Sequence, residues 1–184
     1  MPTLTPQLPR NPQNLAAFDM TRYNGSHFAD RKAAIEALEL LMPTLLSAMH
    51  NDTVGQSGCL HIVVMDPAMG PDVATFEESI LYELSLPDPK QWDADYGAYA
   101  RAKARVSWLT GKDSRVVQLC EPYRLRRGDT NLWGSVAQHG IVVAVSGARP
   151  HFDEALAGCV AHCLRAVAQH RANGTSETLA LSDD

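Results

Sequence analysis

Residues Gly134 to Leu156, GSVAQHGIVVAVSGARPHFDEAL, constrain the fold of this chain more than any other stretch. Ile141 to Val145 is a continuous, mostly β-branched apolar run, the composition of a strand buried on both faces. The Gln138-His139-Gly140 link ahead of it has the length of a tight hairpin connection. Ser146-Gly147 breaks the run, and Pro150 and Asp153 stand where a helix begins, before a long Ala/Leu/Cys pattern. A buried strand that ends in a Ser-Gly turn at a helix entrance is a common place for a small-molecule site.

The rest of the chain supplies partners for that unit. Phe28 to His50 reads as a helix with Asp30 as its cap and Ile35, Leu38, Met42, Leu45 and Met49 as its buried stripe. Pro43 falls inside it and is expected to kink or split it. Cys59 to Met65 is a strand, closed by Asp66-Pro67 and Gly70-Pro71. Ala74 to Leu84 fits strand and helix templates about equally and is read as a strand. Asp95 to Leu109 is a second helix, ended by Gly111. Ser114 to Cys120 and Leu132 to Gln138 read as further strands, and His151 to His170 as the last helix. Three consecutive strands on short links favour antiparallel pairing. The expected fold is α+β: a single, mostly antiparallel sheet of about five strands, flanked by helices in α/β/α layers. The proline-spaced start (residues 1–27) and the polar end (173–184) read as flexible segments around one domain, 28–172.

At 45% hydrophobic and 20% charged, the 184 residues suffice for one ordinary core. A net charge of -5 argues against nucleic acid as a partner, and three scattered tryptophans make no stacking platform. Near the N-terminus there is no basic segment followed by an apolar core, and no apolar run approaches a bilayer span. These features set the expectation of a cytoplasmic protein without a membrane partner. In that setting Cys59, Cys120, Cys159 and Cys163 read as reduced. Leu156, Cys159, Val160, Cys163 and Val167 share a helical face, which points to core packing rather than a metal site.

Several residues stand out as candidates for binding. Tyr96, Tyr99, Lys103 and Val106 follow helical spacing and place an ammonium on a half-apolar face. That ammonium either meets a carboxylate or propionate, or lies over the core with its charge in water. Ser146 and Gly147 can donate at the mouth of the last helix, where Asp153 alternatively only caps or balances the dipole. His139 and His151 flank the strand-turn-helix unit as candidate axial ligands or proton carriers, or as plain solvated turn residues. His61 reads as a packed or hydrogen-bonded strand residue. The chain carries no G-x-S-x-G elbow, no phosphate-binding loop and no dinucleotide fingerprint, so no dedicated catalytic machinery is expected.

Gly140 to Gly147 (GIVVAVSG), followed by Phe152 to Leu156 (FDEAL), resembles the closing strand, V-S-G turn and last-helix start of the haem-degrading-domain family. That family includes GlcG-like, HbpS-like and PduO C-terminal-like proteins. Ala100 to Arg105 (ARAKAR) resembles its lysine-bearing helix, and Ile62 to Asp66 (IVVMD) its first strand. The usual glycine hairpin and R-M-D-G-A-like segment after that strand are missing; a longer, proline-rich stretch, Pro67 to Pro89, stands there instead. The resemblance implies an antiparallel sheet flanked by helices, a homo-oligomer, and a site for a small molecule, with haem or a related tetrapyrrole as the cofactor-like ligand. The expected pocket lies between the Asp95 to Leu109 helix and the Val145 to Asp153 segment, with Tyr99, Lys103, His139, Ser146, Gly147, His151 and Asp153 as its candidate residues. The metal, if any, stays unassigned. Two other functions remain open at this point: oxidative breakdown of bound haem, and an interaction module that docks a partner through the 67–89 insertion.

Overall fold

The computed structural model describes residues 25–55 and 57–175. Four antiparallel strands, β1 (Leu60–Met65), β2 (Ile80–Leu86), β3 (Ser135–Gln138) and β4 (Ile141–Ser146), form one sheet in the order β2-β1-β4-β3. The two apolar runs of the sequence are the two central strands, and every residue of both is buried. Each strand faces two different layers, because side chains alternate across a sheet. Leu60, Ile62, Val64, Val143 and Val145 pack under α1 (Arg31–Met49) and α4 (Pro150–Gly174). Val63, Met65, Val142 and Ala144 meet Ala100 and Ala104 of α2 (Tyr96–Thr110) on the other side. The result is the α+β fold in three layers that the pattern of elements implies. The flexible segments expected at the two ends lie largely outside the described residues (1–24 and 176–184).

Among the described residues four strands, not five, make the sheet. Ser114–Cys120 is a short helix, α3, because only one side of it meets protein: Val117 is fully buried and Leu119 is exposed. Asp113 before it turns its carboxylate to the Ala137 N–H at 2.8 Å instead of extending a strand. The mixed character of Ala74 to Leu84 also has a simple cause. Thr75 and Glu78 bond reciprocally, Thr75 N to Oε2 at 2.9 Å and Glu78 N to Thr75 Oγ1 at 3.3 Å, which closes a turn. The strand starts only at Ile80 and runs on to Leu86. The segment 67–89 is therefore not a free insertion, since its second half is edge strand β2, paired to β1 along six residues. Its first half is held by the Trp108 indole, which donates to Met69 O at 2.9 Å.

Helix α1 starts where Asp30 accepts from the Ala33 N–H at 2.7 Å. It does not break at Pro43, which sits on the exposed face, where water can serve the carbonyl that loses its N–H partner. Its buried face carries Ala33, Ala34, Ala37, Leu38, Leu45, Ala48 and Met49, so Ile35 and Met42 stand at the margin. On α4, Leu156, Val160 and Val167 are buried as expected, but Cys159 is exposed and Cys163 half-buried. All four cysteines are free thiols.

The β3–β4 link is a two-residue turn in which both His139 (φ 53°) and Gly140 (φ 86°) are left-handed. That is the geometry of a primed hairpin turn, which glycine takes freely and histidine does not. Replacing His139 with Asn, the residue most at ease in that position, is expected to stabilise the protein by roughly 0.5–1 kcal/mol. Urea unfolding of His139→Asn against wild type measures it.

Candidate functional site

Lys103 lies on the face of α2 that packs on the sheet, and the residue is 3% exposed. Its three N–H groups are all engaged: with Val145 O at 3.0 Å, Ser146 Oγ at 3.3 Å and Asp153 Oδ2 at 2.7 Å. Asp153 is 1% exposed, and its second oxygen accepts from Ala148 N–H at 2.9 Å. One ion pair thus joins α2, the end of β4, the Ser146–Arg149 turn and the first turn of α4. Lys103 therefore meets a carboxylate, the first of its two alternatives, but the carboxylate is the protein's own Asp153, so the charge is neither in water nor free for a ligand.

The backbone around the pair is fitted to it. Gly134 has φ +135°, and a Cβ there would come 2.5 Å from Asp153 Cβ. Gly147 has φ +128°, and a Cβ there would overlap the Cys59 carbonyl, just ahead of β1. Three buried serines brace the approach from α2 and α3. Ser135 Oγ donates to Lys103 O at 2.7 Å and accepts from Ser107 Oγ at 2.7 Å. Ser114 Oγ accepts from the Gly134 and Ser135 N–H groups at 3.1 and 3.0 Å. Burial sets the electrostatics. It pushes the Asp153 carboxyl up to about 6 and the Lys103 ammonium down, in each case against the pull of the partner charge.

Above this pair is a hollow of about 410 Å³ lined by Ser57, Tyr96, Trp133, Ser146, Arg149 and Asp93, among others. Tyr96 Oη donates to Asp93 Oδ1 at 2.7 Å. Of the residues singled out in the sequence, Lys103, Ser146, Gly147 and Asp153 come together at its floor. Tyr99 does not; it is 42% exposed and edges Tyr96, which takes the place in the hollow. His139 does not either, since it sits in the turn at the opposite end of β4. His151 is exposed, stacks at a tilt on Phe152 and lies outside the lining. The N–H groups at the entrance of α4 are largely spent within the protein. Ala148 N–H goes to Asp153, Arg149 N–H to Val54 O, and those of Phe152 and Asp153 to Arg149 O.

Sequence reasoning missed Ser57, Asp93, Trp133 and Arg149. They come from loops, which have no periodicity to reveal them; only Arg149, beside Pro150, stood next to a residue already singled out. No protein-family model, curated protein or solved structure matches the chain.

A haem would need an axial ligand and a cation for its propionates. Among the described residues, no histidine or cysteine lines the hollow, and no group of three His, Cys, Asp or Glu is placed to hold a metal. Tyr96 is the remaining candidate ligand. Burial and Asp93 push its phenol up, away from the phenolate that binds iron. Lys103 has no proton to spare, so Arg149 alone could meet a propionate, and no residue of the lining supplies an axial ligand. These residues do not fit an iron porphyrin.

Truncating either member of a buried pair strands the other charge. Lys103→Met or Asp153→Leu alone is expected to cost about 3–5 kcal/mol, with most of the loss recovered in the double variant. Because the folded carboxyl titrates near 6, above its ordinary 3.8, its contribution to stability is full at low pH and is lost as the pH rises through 6. Relative to Asp153→Asn, wild type therefore gains stability as the pH falls from about 7 to about 4. Denaturant melts across that range check the sign.

Proposed function

We propose that the chain is a small-molecule-binding protein whose site is the hollow between α2 and the turn from Ser146 to Asp153. The observation that carries this reading is convergence. Residues from α2, β4, α4 and the loops at 57, 93 and 133 meet around about 410 Å³, a volume in the range of small-ligand sites. Trp133 and Tyr96 offer flat apolar faces, Arg149 a cation at the rim, and Ser57 and Ser146 hydroxyls. This set suits a compact planar molecule with an anionic group better than a tetrapyrrole. The buried ion pair acts as a rigid floor and not as the recognition group. The resemblance to the haem-degrading-domain family supports the location of the site and a homo-oligomer, and a neighbouring copy can close the open side. Haem breakdown receives no support from the donor set.

A melting-temperature screen with benzoate, other small aromatic carboxylates and haemin tests the reading. A saturable rise with the carboxylates, lost in Arg149→Ala and Trp133→Ala, is the expected outcome. A saturable Soret shift with haemin would restore the tetrapyrrole ligand. No response to any of them from a folded protein would overturn the site and favour an interaction module. The exposed Leu119 and Tyr123 would then be the place to look for a contact surface.

A further inference from the structure

His61 and Ser85 are directly opposite each other in the β1–β2 ladder, on the face covered by α2. Their side chains meet, with His61 Nδ1 3.0 Å from Ser85 Oγ. The other ring nitrogen, Nε2, is 3.1 Å from Oε1 of Glu83, two residues along β2. Glu83 is clamped by Arg101 of α2, which donates from Nε to Oε1 at 2.8 Å and from Nη2 to Oε2. Arg101 holds this carboxyl below the usual carboxylate range, so it can only accept a hydrogen bond. The His61 proton must therefore sit on Nε2. That leaves the Nδ1 lone pair facing the Ser85 hydroxyl.

The serine is within reach of solvent. Ser85 is half-buried and borders a hollow of about 320 Å³, together with His61, Glu83, Pro89, Trp92 and Gly97. Trp92 Nε1 is buried without a hydrogen-bond partner among the described residues, and its ring meets His61 edge-on at 5.6 Å. Gly97 is in the first turn of α2, where an N–H has no acceptor inside the helix. Carboxylate, oriented imidazole and hydroxyl thus line one hollow, with Trp92 and Gly97 beside them. That is the arrangement an activated nucleophile requires.

We propose that Ser85 is the nucleophile of a second site, with His61 as general base and Glu83 as positioning residue, acting on small carboxylic esters. Ser85 Oγ attacks the ester carbonyl carbon and its proton passes to His61 Nδ1. The imidazolium is stabilised by Glu83. The C–O bond to the alcohol then breaks, and His61 returns its proton to the leaving oxygen. An acyl group remains on Ser85. Water, deprotonated by His61, attacks that acyl carbon; the bond to Oγ breaks, Ser85 recovers its proton, and a carboxylic acid leaves. Trp92 Nε1–H and Gly97 N–H are the donors available to the oxyanion. The proposal does not depend on the ligand of the hollow above Lys103.

Diisopropyl fluorophosphate followed by intact mass and peptide mapping, with p-nitrophenyl acetate hydrolysis alongside, tests it. One adduct located on Ser85 is expected. Hydrolysis is expected to fall at least ~100-fold in Ser85→Ala. Ser85→Cys, which keeps a nucleophile in the same small space, should recover acylation that iodoacetamide abolishes. Glu83→Gln should lower kcat with KM unchanged, a split that mere loosening of β2 would not produce. No adduct on a folded wild-type protein, or hydrolysis by Ser85→Ala at the wild-type rate, overturns the assignment.

Discussion

The buried pair between Lys103 and Asp153 sets the terms for the rest of the structure. Two charges out of water cost several kcal/mol each, and their attraction repays that only when geometry and further hydrogen bonds are complete. Here they are complete: three acceptors around the ammonium and two donors at the carboxylate. Completion places demands on the neighbours. Gly134 must lack a side chain, β4 must end at Ser146, and α4 must begin at Pro150 so that Asp153 falls at its fourth residue. A well-packed apolar pair of similar volume would be as stabilising. What the ion pair adds is definition: it fixes one angle between α2, β4 and α4.

The strand order then decides where chemistry can gather. β1 and β4 are antiparallel, so His61 at the start of β1 is paired with Ser146 at the end of β4. β2 is antiparallel to β1 as well, which brings Ser85 near its end to the same edge of the sheet. The N-terminal turn of α2 covers that end with Tyr96 and Gly97. Trp92 and Tyr96, with ring centroids 5.7 Å apart, stand between the two hollows and contribute one side chain to each. The opposite end of the sheet carries the His139 turn.

Much of the frame was legible in the residues. The CLHIVVM and IVVAV runs are the central strands, and the helices at 31–49, 96–110 and 150–174 follow from periodicity and caps. The errors share one cause, which is that short segments take their state from neighbours. Ser114–Cys120 has the composition of a strand, yet only Ser114 and Val117 of its residues are buried, three apart, which is the spacing of one helical face. The site was legible in part for the same reason. Lys103, Ser146, Gly147 and Asp153 lie on regular elements that pattern can place, whereas Ser57, Asp93 and Trp133 reach the hollow from loops. His61 was visible as an inward strand residue, but its partners depend on the β1–β2 register, which a turn-rich link of uncertain length conceals.

Two polar networks under the same helix illustrate how hydrogen-bond bookkeeping separates structure from chemistry. Around Lys103 every donor is consumed by an acceptor of the protein itself. Such a group can hold elements together but offers a ligand nothing. Around His61 the bookkeeping ends differently. Arg101 satisfies Glu83, Glu83 fixes the Nε2 proton, and the chain of partners terminates on a hydroxyl at the edge of solvent. A network that closes on itself is inert, and one that ends on a nucleophile with a lone pair behind it is poised. The histidines that looked suggestive in sequence, His139 and His151, have neither kind of network. His61, read as a packed or hydrogen-bonded strand residue, is the one with two oriented partners.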